Sequence, residues 1–304
     1  MGSKSKIAKH IVSLFPNADN FVDLFAGGGA VTHYAMTTNK YKYFVFNDIN
    51  PLMPKAFEMA LNGEFENENR WISREEFFRL RDTDPYAAIC FSFGNNLSNY
   101  AYGKDIEPIK EAYHYALFFG DYSLAKERMG IDFSPLEKCP TIKERYTMLM
   151  RIVNTTHPQQ RFESAQRRIR CCEMEGIGSN PLPLSDVIEF YSTDYQAVPI
   201  PENSVIYCDI PYKNTGTYQR HKKTEFDYER FYNWAYRQTQ PIFISEYWMP
   251  EDRFVCIAEI QRRETFSKTN NSKKTTERIF IPKHQQTNLT KQLNLFQCGD
   301  RQDL

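Results

Sequence analysis

The residues best suited to chemistry lie in one short segment, Val205-Ile206-Tyr207-Cys208-Asp209-Ile210-Pro211-Tyr212. Its first residues are apolar or aromatic and favour a buried β-strand, which ends at the carboxylate of Asp209. The Ile210-Pro211 pair favours an extended turn, after which Tyr212 supplies an aromatic ring. A carboxylate, fixed backbone carbonyls and an aromatic face in succession can grip a planar amine. The alternative is a buried strand that ends in an ordinary X-Pro turn, and this segment alone does not decide between the two.

A glycine turn near the N-terminus predicts the opening of a nucleotide-binding βαβ unit. The apolar run at residues 21–25 is followed by Ala26-Gly27-Gly28-Gly29 and by an apolar helix start. Glycines in such a turn let the backbone approach a ligand closely. A second predicted strand, residues 43–46, is followed by Asp48. This acid lies about twenty residues beyond the turn, where it is placed to accept hydrogen bonds from ribose hydroxyls.

The elements that must position these residues form a predicted doubly wound α/β sheet. Two strands precede residue 52, and five more are predicted at residues 187–191, 205–209, 241–245, 254–260 and 278–282. In a sheet of this kind the ligand lies at the carboxyl edge of the strands. We therefore expect this edge to collect the acids that fall at or near strand ends, which are Asp23, Asp48, Asp194 and Asp209.

Residues 52–185 interrupt the alternation of strands and helices. We predict that they form an inserted, mostly helical subdomain between the sheet segments 1–51 and 186–283. The insertion contains a basic stretch, and a second basic stretch follows the Asp209 turn. These side chains either form solvated surfaces, the usual outcome of a charge run, or contact phosphates. The residues in question are Arg161, Arg167, Arg168 and Arg170 in the first stretch, and Lys213, Arg220, Lys222 and Lys223 in the second.

The composition narrows the class of protein. Lys and Arg total 38, and Asp and Glu also total 38, so the formal net charge is zero. The protein as a whole therefore has no positive field that would attract a polyanion, and any nucleic-acid-binding surface must be a local basic patch. The seven Cys include no CxxC pair, which favours neither a zinc site nor a disulfide framework. No signal peptide and no apolar run of membrane-spanning length occurs in the sequence. We expect a soluble protein of a reducing cytoplasm.

These motifs together resemble the adenine-specific DNA methyltransferases of the Dam-like, D12 class. Phe25-Ala26-Gly27-Gly28-Gly29 is similar to the turn that binds S-adenosylmethionine in that family. Asp209-Ile210-Pro211-Tyr212 resembles the family's Asp-Pro-Pro-Tyr turn, which holds the target adenine. Gly2-Ser3-Lys4 resembles an N-terminal element whose Lys reaches the cofactor, and Asn47-Asp48-Ile49-Asn50 resembles the ribose-binding element. The resemblance spans roughly residues 2–283 and includes the order of the motifs.

The resemblance implies a Rossmann-like class I methyltransferase sheet with an inserted target-recognition subdomain. It implies an S-adenosylmethionine site formed by Lys4, Asp23, Phe25, Gly27, Gly29, Asp48, Ile49, Asp194 and Tyr195. Double-stranded DNA is the implied substrate, contacted by the two basic stretches and by Tyr218, and a nucleoid-associated location follows.

The implied reaction transfers a methyl group to N6 of an adenine that is flipped out of the duplex. The Asp209 carboxylate and the Ile210 carbonyl would accept the two N6 hydrogens, Tyr212 would stack on the base, and Pro211 would stiffen the turn. Ile210 stands where the family has a Pro. Because Ile carries the same backbone carbonyl, the acceptor is kept and only rigidity is reduced.

Other activities stay open on the sequence. An RNA or protein-amide methyltransferase can use the same glycine turn, cytosine N4 methylation needs similar geometry, and Ile210 is compatible with a catalytically weak DNA-binding relative. Carbon-5 methylation of cytosine is disfavoured, because it needs a Pro-Cys nucleophile and no Pro-Cys pair occurs. The sequence does not choose among restriction–modification, phage and orphan roles.

The C-terminal residues 284–304 are predicted to form a flexible polar tail that contains Gln292-Leu293-Asn294-Leu295-Phe296. This segment resembles the short peptide by which bacterial replication and repair proteins dock on the sliding clamp. In that interpretation Leu293, Leu295 and Phe296 fill an apolar pocket and Gln292 hydrogen-bonds at its rim. The alternative is a tail that folds back on its own domain.

Overall fold

The structure is a computed structural model, and it describes residues 4–93, 96–156, 187–213, 226–263 and 274–287. The chain divides into two compact units, which we call the sheet unit (residues 2–58 and 180–304) and the helical unit (residues 59–179). The insertion predicted from the sequence, residues 52–185, begins at the first residue of helix α3 (Leu52–Leu61), whereas the helical unit begins within that helix.

The sheet unit is built around one sheet. Its strands are Asn20–Asp23 (β1), Tyr43–Asn47 (β2), Ile188–Tyr191 (β3), Ser204–Asp209 (β4), Ile242–Glu246 (β5), Phe254–Arg263 (β6) and Lys274–Pro282 (β7). They lie in the order β3-β2-β1-β4-β5-β7-β6. Strands β1 to β5 run parallel to one another, and β7 runs antiparallel to both β5 and β6.

The predicted α/β class and the seven predicted strands are confirmed. The strand order reverses between β1 and β4, as it does at the switch point of a doubly wound sheet. β6 and β7 are longer than predicted because they pair with each other over their whole length, as far as Arg263 opposite Lys274. Neither strand alternates cleanly in hydrophobicity at its outer end, so the sequence signal stops before the pairing does.

The carboxyl edge of the parallel strands carries the four acids expected there. Asp23 is the last residue of β1 and Asp209 is the last residue of β4. Asp48 directly follows β2, and Asp194 follows β3 after two intervening residues. Asp23 is in register with Tyr207, so β4 extends beyond β1 at this edge and carries Asp209 outward.

Burial on both faces explains why β4 is a continuous apolar run. Residues 205–208 are all buried, as expected for a parallel strand covered on each side. Ile206 belongs to a buried cluster with Val22 of β1 and Ile244 of β5. Phe231 joins the same cluster from helix α9 (Tyr228–Tyr236), so the apolar contacts hold α9 against the sheet that ends in Asp209.

Three helices of the sheet unit lie close in sequence to the predicted motifs. They are α1 (Ala8–Ser13), α2 (Ala30–Met36), which follows the glycine turn, and α9. The carboxylate of Asp227 accepts a hydrogen bond from the Arg230 N–H at 2.9 Å and so caps α9. Across the described part of the chain, helices are too short or too polar to cross a membrane.

The residues of the helical unit that the structure describes form several helices and one isolated β-bridge, between Ser92 and Tyr100. The helices are α4 (Arg74–Leu80), α5 (Pro85–Cys90), α6 (Glu107–His114), α7 (Ser123–Met129) and α8 (Ile142–Thr156). Several tyrosines of the helical unit belong to its core. Tyr100, Tyr102 and Tyr113 are buried in two apolar clusters, which assigns them to packing within the unit.

Candidate active site

The side chain of Asp209 forms an ion pair with a lysine near the N-terminus of the sequence. Lys4 places its Nζ 3.0 Å from Oδ1 of Asp209 and 3.2 Å from Oε1 of Glu277 on β7. Lys4 is 5% exposed and Glu277 is 1% exposed, whereas Asp209 is 26% exposed. A buried ammonium therefore joins one deeply buried carboxylate to one that reaches the surface of the sheet edge.

Tyr212 completes this group through its hydroxyl. The hydroxyl lies 3.1 Å from Oδ1 of Asp209, and it also contacts Oε1 of Glu277 and Nζ of Lys4. A phenol has one proton, so it donates to one of the two carboxylates at a time and accepts a hydrogen bond from the ammonium. Burial, reinforced by the charges of Asp209 and Glu277, raises the pKa of Tyr212, so the hydroxyl stays protonated at neutral pH.

The ring of Tyr212 already has an aromatic neighbour. Its centroid lies 4.6 Å from that of Tyr247, with 43° between the ring planes. The sequence predicts that Tyr212 stacks on a base. In the structure the half-buried ring packs against Tyr247 and directs its hydroxyl toward Asp209.

Ile210 and Pro211 are held by different contacts. The Ile210 side chain is buried in the same apolar cluster as Ile206 and Phe231, which anchors the turn where the resembled family has a Pro. The carbonyl oxygen of Pro211 accepts a hydrogen bond from the Tyr228 hydroxyl at 3.0 Å. Side-chain burial and this hydrogen bond supply the rigidity that a second proline would otherwise give.

Glu246, the last residue of β5, fixes the end of the same turn. Its Oε1 accepts the Lys213 N–H at 2.7 Å, and its Oε2 accepts the Tyr247 N–H. Burial raises the pKa of this carboxyl, although its hydrogen bonds from backbone N–H groups act in the opposite direction. Sequence reasoning missed Glu246, which directly follows the predicted strand 241–245.

The glycine turn is joined to the acid that follows β2. Oδ2 of Asp48 accepts the Gly27 N–H at 2.9 Å, and Oδ1 accepts the Asn50 N–H at 2.8 Å. Gly27 has φ of +52°, and a Cβ placed on it would meet open space. A Cβ on Gly29 would lie 2.3 Å from the Phe57 ring, so this glycine is required by packing.

Ile49 leaves an apolar side chain 66% exposed beside the glycine turn. Phe25, the first residue of the turn motif, is partly buried, and its ring centroid lies 5.4 Å from that of Tyr195. Burial raises the pKa of Tyr195 to about 12. The two terminal nitrogens of the Arg230 guanidinium donate hydrogen bonds to the Asp194 carboxylate, at 3.0 and 3.1 Å.

Asp23 is the predicted cofactor residue that the structure places deepest. Its side chain is 1% exposed, and its Oδ2 accepts a hydrogen bond from the Thr32 hydroxyl at 2.7 Å. Its Oδ1 is buried without a hydrogen-bond partner in the described residues. Burial raises the pKa of Asp23 to about 8, so the side chain is largely neutral at pH 7.

Of the residues predicted to contact DNA, Lys213 lies in the part of the chain that the structure describes. Its Nζ lies 5.6 Å from the centroid of the Tyr228 ring and 5.9 Å from that of the Trp248 ring, whose side chain is 51% exposed. The remaining predictions fall outside the described residues. They concern Arg161, Arg167, Arg168, Arg170, Tyr218, Arg220, Lys222 and Lys223, together with Gln292, Leu293, Leu295 and Phe296 of the tail.

A mixed α/β sheet of this order, with a glycine turn after β1 and acids at its carboxyl edge, is compatible with a methyltransferase fold. Residues 1–119 match the family model of the D12 class N6 adenine-specific DNA methyltransferases. The matched family is an enzyme family, and the resemblance seen in the sequence is confirmed for this part of the chain. The matched residues include Lys4, the glycine turn and Asp48, and they end before the Asp209 turn. No curated protein matches the chain.

Proposed function

We propose that the protein is a site-specific DNA methyltransferase that transfers a methyl group from S-adenosylmethionine to N6 of adenine. The observation that carries the proposal is the position of Asp209. This carboxylate ends β4, at the same sheet edge as the Gly27–Asp48 turn of the matched segment. Adenine methylation needs a carboxylate that can bind the amine of the base, close to a backbone turn that can bind the nucleoside part of the cofactor.

The residues of the glycine turn suit the nucleoside part of S-adenosylmethionine. The backbone at Gly27 and Gly28 is open to close approach, since a Cβ at either position would meet nothing within 4 Å. In this proposal Asp48 would accept hydrogen bonds from ribose hydroxyls, and the exposed side chain of Ile49 would cover a purine face. When bound, the cofactor supplies a methyl group on a positively charged sulfur.

Asp209 and Ile210 would prepare the adenine amine. Oδ1 of Asp209 is engaged by Lys4 and Tyr212, whereas within the described residues Oδ2 contacts no hydrogen-bond donor. This second oxygen and the Ile210 carbonyl can accept the two N6 hydrogens. Accepting both favours a pyramidal nitrogen, whose lone pair is then no longer delocalised into the ring and can point toward the methyl group. In this proposal Asp209 would also take the proton that N6 loses.

The target adenine must leave the duplex to reach this position. We propose that it stacks on the ring of Tyr212. The helical unit would provide target recognition, with the arginines at positions 161, 167, 168 and 170 on phosphates. Lys213, Tyr218, Arg220, Lys222 and Lys223 would contact the DNA near the catalytic turn, and the protein would work at the nucleoid. Docking on a sliding clamp through residues 292–296 is proposed on the sequence motif alone.

Methyl transfer can be tested directly. The purified protein is incubated with labelled S-adenosylmethionine and unmethylated duplex DNA, and the product is digested to nucleosides; we expect label in N6-methyladenine. Label in N4-methylcytosine, or transfer only to RNA or protein, would contradict the proposal. Sequencing of modified bases in DNA from expressing cells would give the recognised site.

The role of Asp209 has its own test with a matched control. Asp209→Ala is expected to abolish turnover while S-adenosylmethionine binding stays measurable by calorimetry. Asp252→Ala removes an exposed carboxylate in the turn before β6, and this variant is expected to keep wild-type turnover. Wild-type turnover in Asp209→Ala would show that the carboxylate is not the amine acceptor.

A further inference from the structure

We propose that Glu277 is a positioning residue for methyl transfer, acting on Asp209 through Lys4 and Tyr212. The inference rests on the proposed function and extends it to a residue outside the matched segment and outside every motif recognised in the sequence. Glu277 lies on β7, the antiparallel strand that is inserted between β5 and β6.

The first support is the cost of burying this carboxylate. Glu277 is 1% exposed, and a carboxylate removed from water to this degree is costly unless it is paired. Replacing an ion pair of this kind by apolar residues is often neutral or stabilising for a fold. Stability alone therefore gives little reason for a buried Glu at the sheet edge where Asp209 lies.

The second support is the geometry of the group. Oε1 of Glu277 contacts both the Lys4 ammonium, at 3.2 Å, and the Tyr212 hydroxyl. Both of these groups in turn contact Oδ1 of Asp209, at 3.0 and 3.1 Å. Glu277 thus holds the two donors that engage one oxygen of Asp209, and this arrangement orients the other oxygen toward the substrate amine.

The third support is charge. The formal charges of Lys4, Asp209 and Glu277 sum to one net negative charge, whereas those of Lys4 and Asp209 alone cancel. Positive charge develops on N6 when it is methylated, and a fixed negative charge beside it lowers the barrier. Asp23 adds little charge at neutral pH because its pKa is raised to about 8. Glu246, which also lies near Glu277, directs its oxygens at backbone N–H groups.

The charge argument predicts the effect of a single variant. Glu277→Gln keeps the shape and removes the charge, so we expect kcat to fall roughly tenfold to a hundredfold while KM for DNA changes less than about threefold. Glu259→Gln is the matched control on β6, where the exposed Glu259 pairs with Arg278 at 2.8 Å. The control is expected to keep the wild-type kcat.

A double variant separates charge from structure. Lys4→Met in the Glu277→Gln background leaves Asp209 as the one charged member of the group and restores its net negative charge. We therefore expect the double variant to regain part of the kcat that Glu277→Gln loses, at saturating cofactor. A purely structural role predicts the opposite, because the double variant has lost more contacts.

Ligand binding gives a readout that needs no turnover. S-adenosylmethionine has a positively charged sulfur and S-adenosylhomocysteine a neutral one, so the ratio of their dissociation constants reports the charge of the site. Calorimetry is expected to show a preference for the charged ligand that is about threefold or more weaker in Glu277→Gln. This ratio stays informative even if the wild type transfers no methyl group to DNA, a result that would contradict the proposed function itself.

If Glu277→Gln folds, two results would overturn the role of Glu277. One is a wild-type kcat and an unchanged binding ratio in Glu277→Gln. The other is a fall in kcat with an unchanged ratio and no recovery in the double variant, which would identify a structural residue. If Glu277→Gln fails to fold, Tyr212→Phe removes the hydroxyl between the two carboxylates; a lower kcat at unchanged KM supports the proposal, and an unchanged kcat overturns it.

Discussion

The Gly27 N–H and Oδ2 of Asp48 are 2.9 Å apart, so the glycine turn and the acid after β2 form one hydrogen-bonded unit. Two elements that the sequence presents as separate motifs are therefore coupled. A change at Asp48 is expected to disturb both the proposed ribose contact and the conformation of the turn.

Asp48→Ala tests this coupling. The variant removes the acceptor of the Gly27 and Asn50 N–H groups, and we expect the affinity for S-adenosylmethionine to fall about tenfold or more, since a hydrogen bond to a charged group contributes about 1.5–3 kcal/mol. Calorimetry measures the effect. Asp19→Ala, at an exposed Asp paired with Lys42 before β1, is the control and is expected to bind normally. Equal affinities in the two variants would refute a role for Asp48 in binding.

Ile210→Pro tests whether the natural turn is impaired. Because the Ile210 side chain is buried in the core cluster, its replacement is expected to cost about 1–3 kcal/mol of unfolding free energy. Turnover is expected to stay within about threefold of wild type, since either residue presents the same carbonyl. Urea denaturation and the labelled-methyl assay measure the two effects. A large gain in turnover would show that Ile210 limits the activity.

The buried Asp23 predicts a dependence of stability on pH. Burial raises its pKa from 3.8 to about 8, so the folded state keeps a proton that the unfolded state has lost. Stability from this group is therefore present below pH 4 and is lost as the pH rises from about 4 to about 8. Asp23→Asn cannot ionise, and its unfolding free energy should decline less over this range than that of wild type. Parallel declines in urea titrations would argue against a neutral Asp23.

We expect Trp248, an aromatic residue in the part of the chain that the structure describes, to contact DNA. It follows β5, is 51% exposed and lies beside Lys213. Stacking of one base on an aromatic ring contributes about 1–3 kcal/mol, so Trp248→Ala is expected to weaken duplex binding roughly tenfold. Tyr43, 50% exposed at the amino end of β2, is the matched control. Fluorescence anisotropy with labelled DNA measures both, and an equal loss in Tyr43→Ala would contradict a specific contact.

The sequence by itself determined the elements that local pattern encodes. Continuous apolar runs predict buried parallel strands, and the residue that ends each run is placed at the carboxyl edge, which located Asp48 and Asp209. The glycine turn after β1 is an equally local signal. These features need only neighbouring residues, so composition and spacing are sufficient to predict them.

The tertiary structure alone decided which distant side chains meet Asp209. Lys4 and Glu277 are far from Asp209 in the sequence, on its N-terminal and C-terminal sides. Glu277 reaches Asp209 because β7 is inserted antiparallel beside β5. It also turned the Tyr212 hydroxyl toward the carboxylates and assigned the tyrosines of the helical unit to its core. Local periodicity reports the face on which a residue lies; which charge pairs with which depends on strand order and burial, and these are properties of the whole sheet.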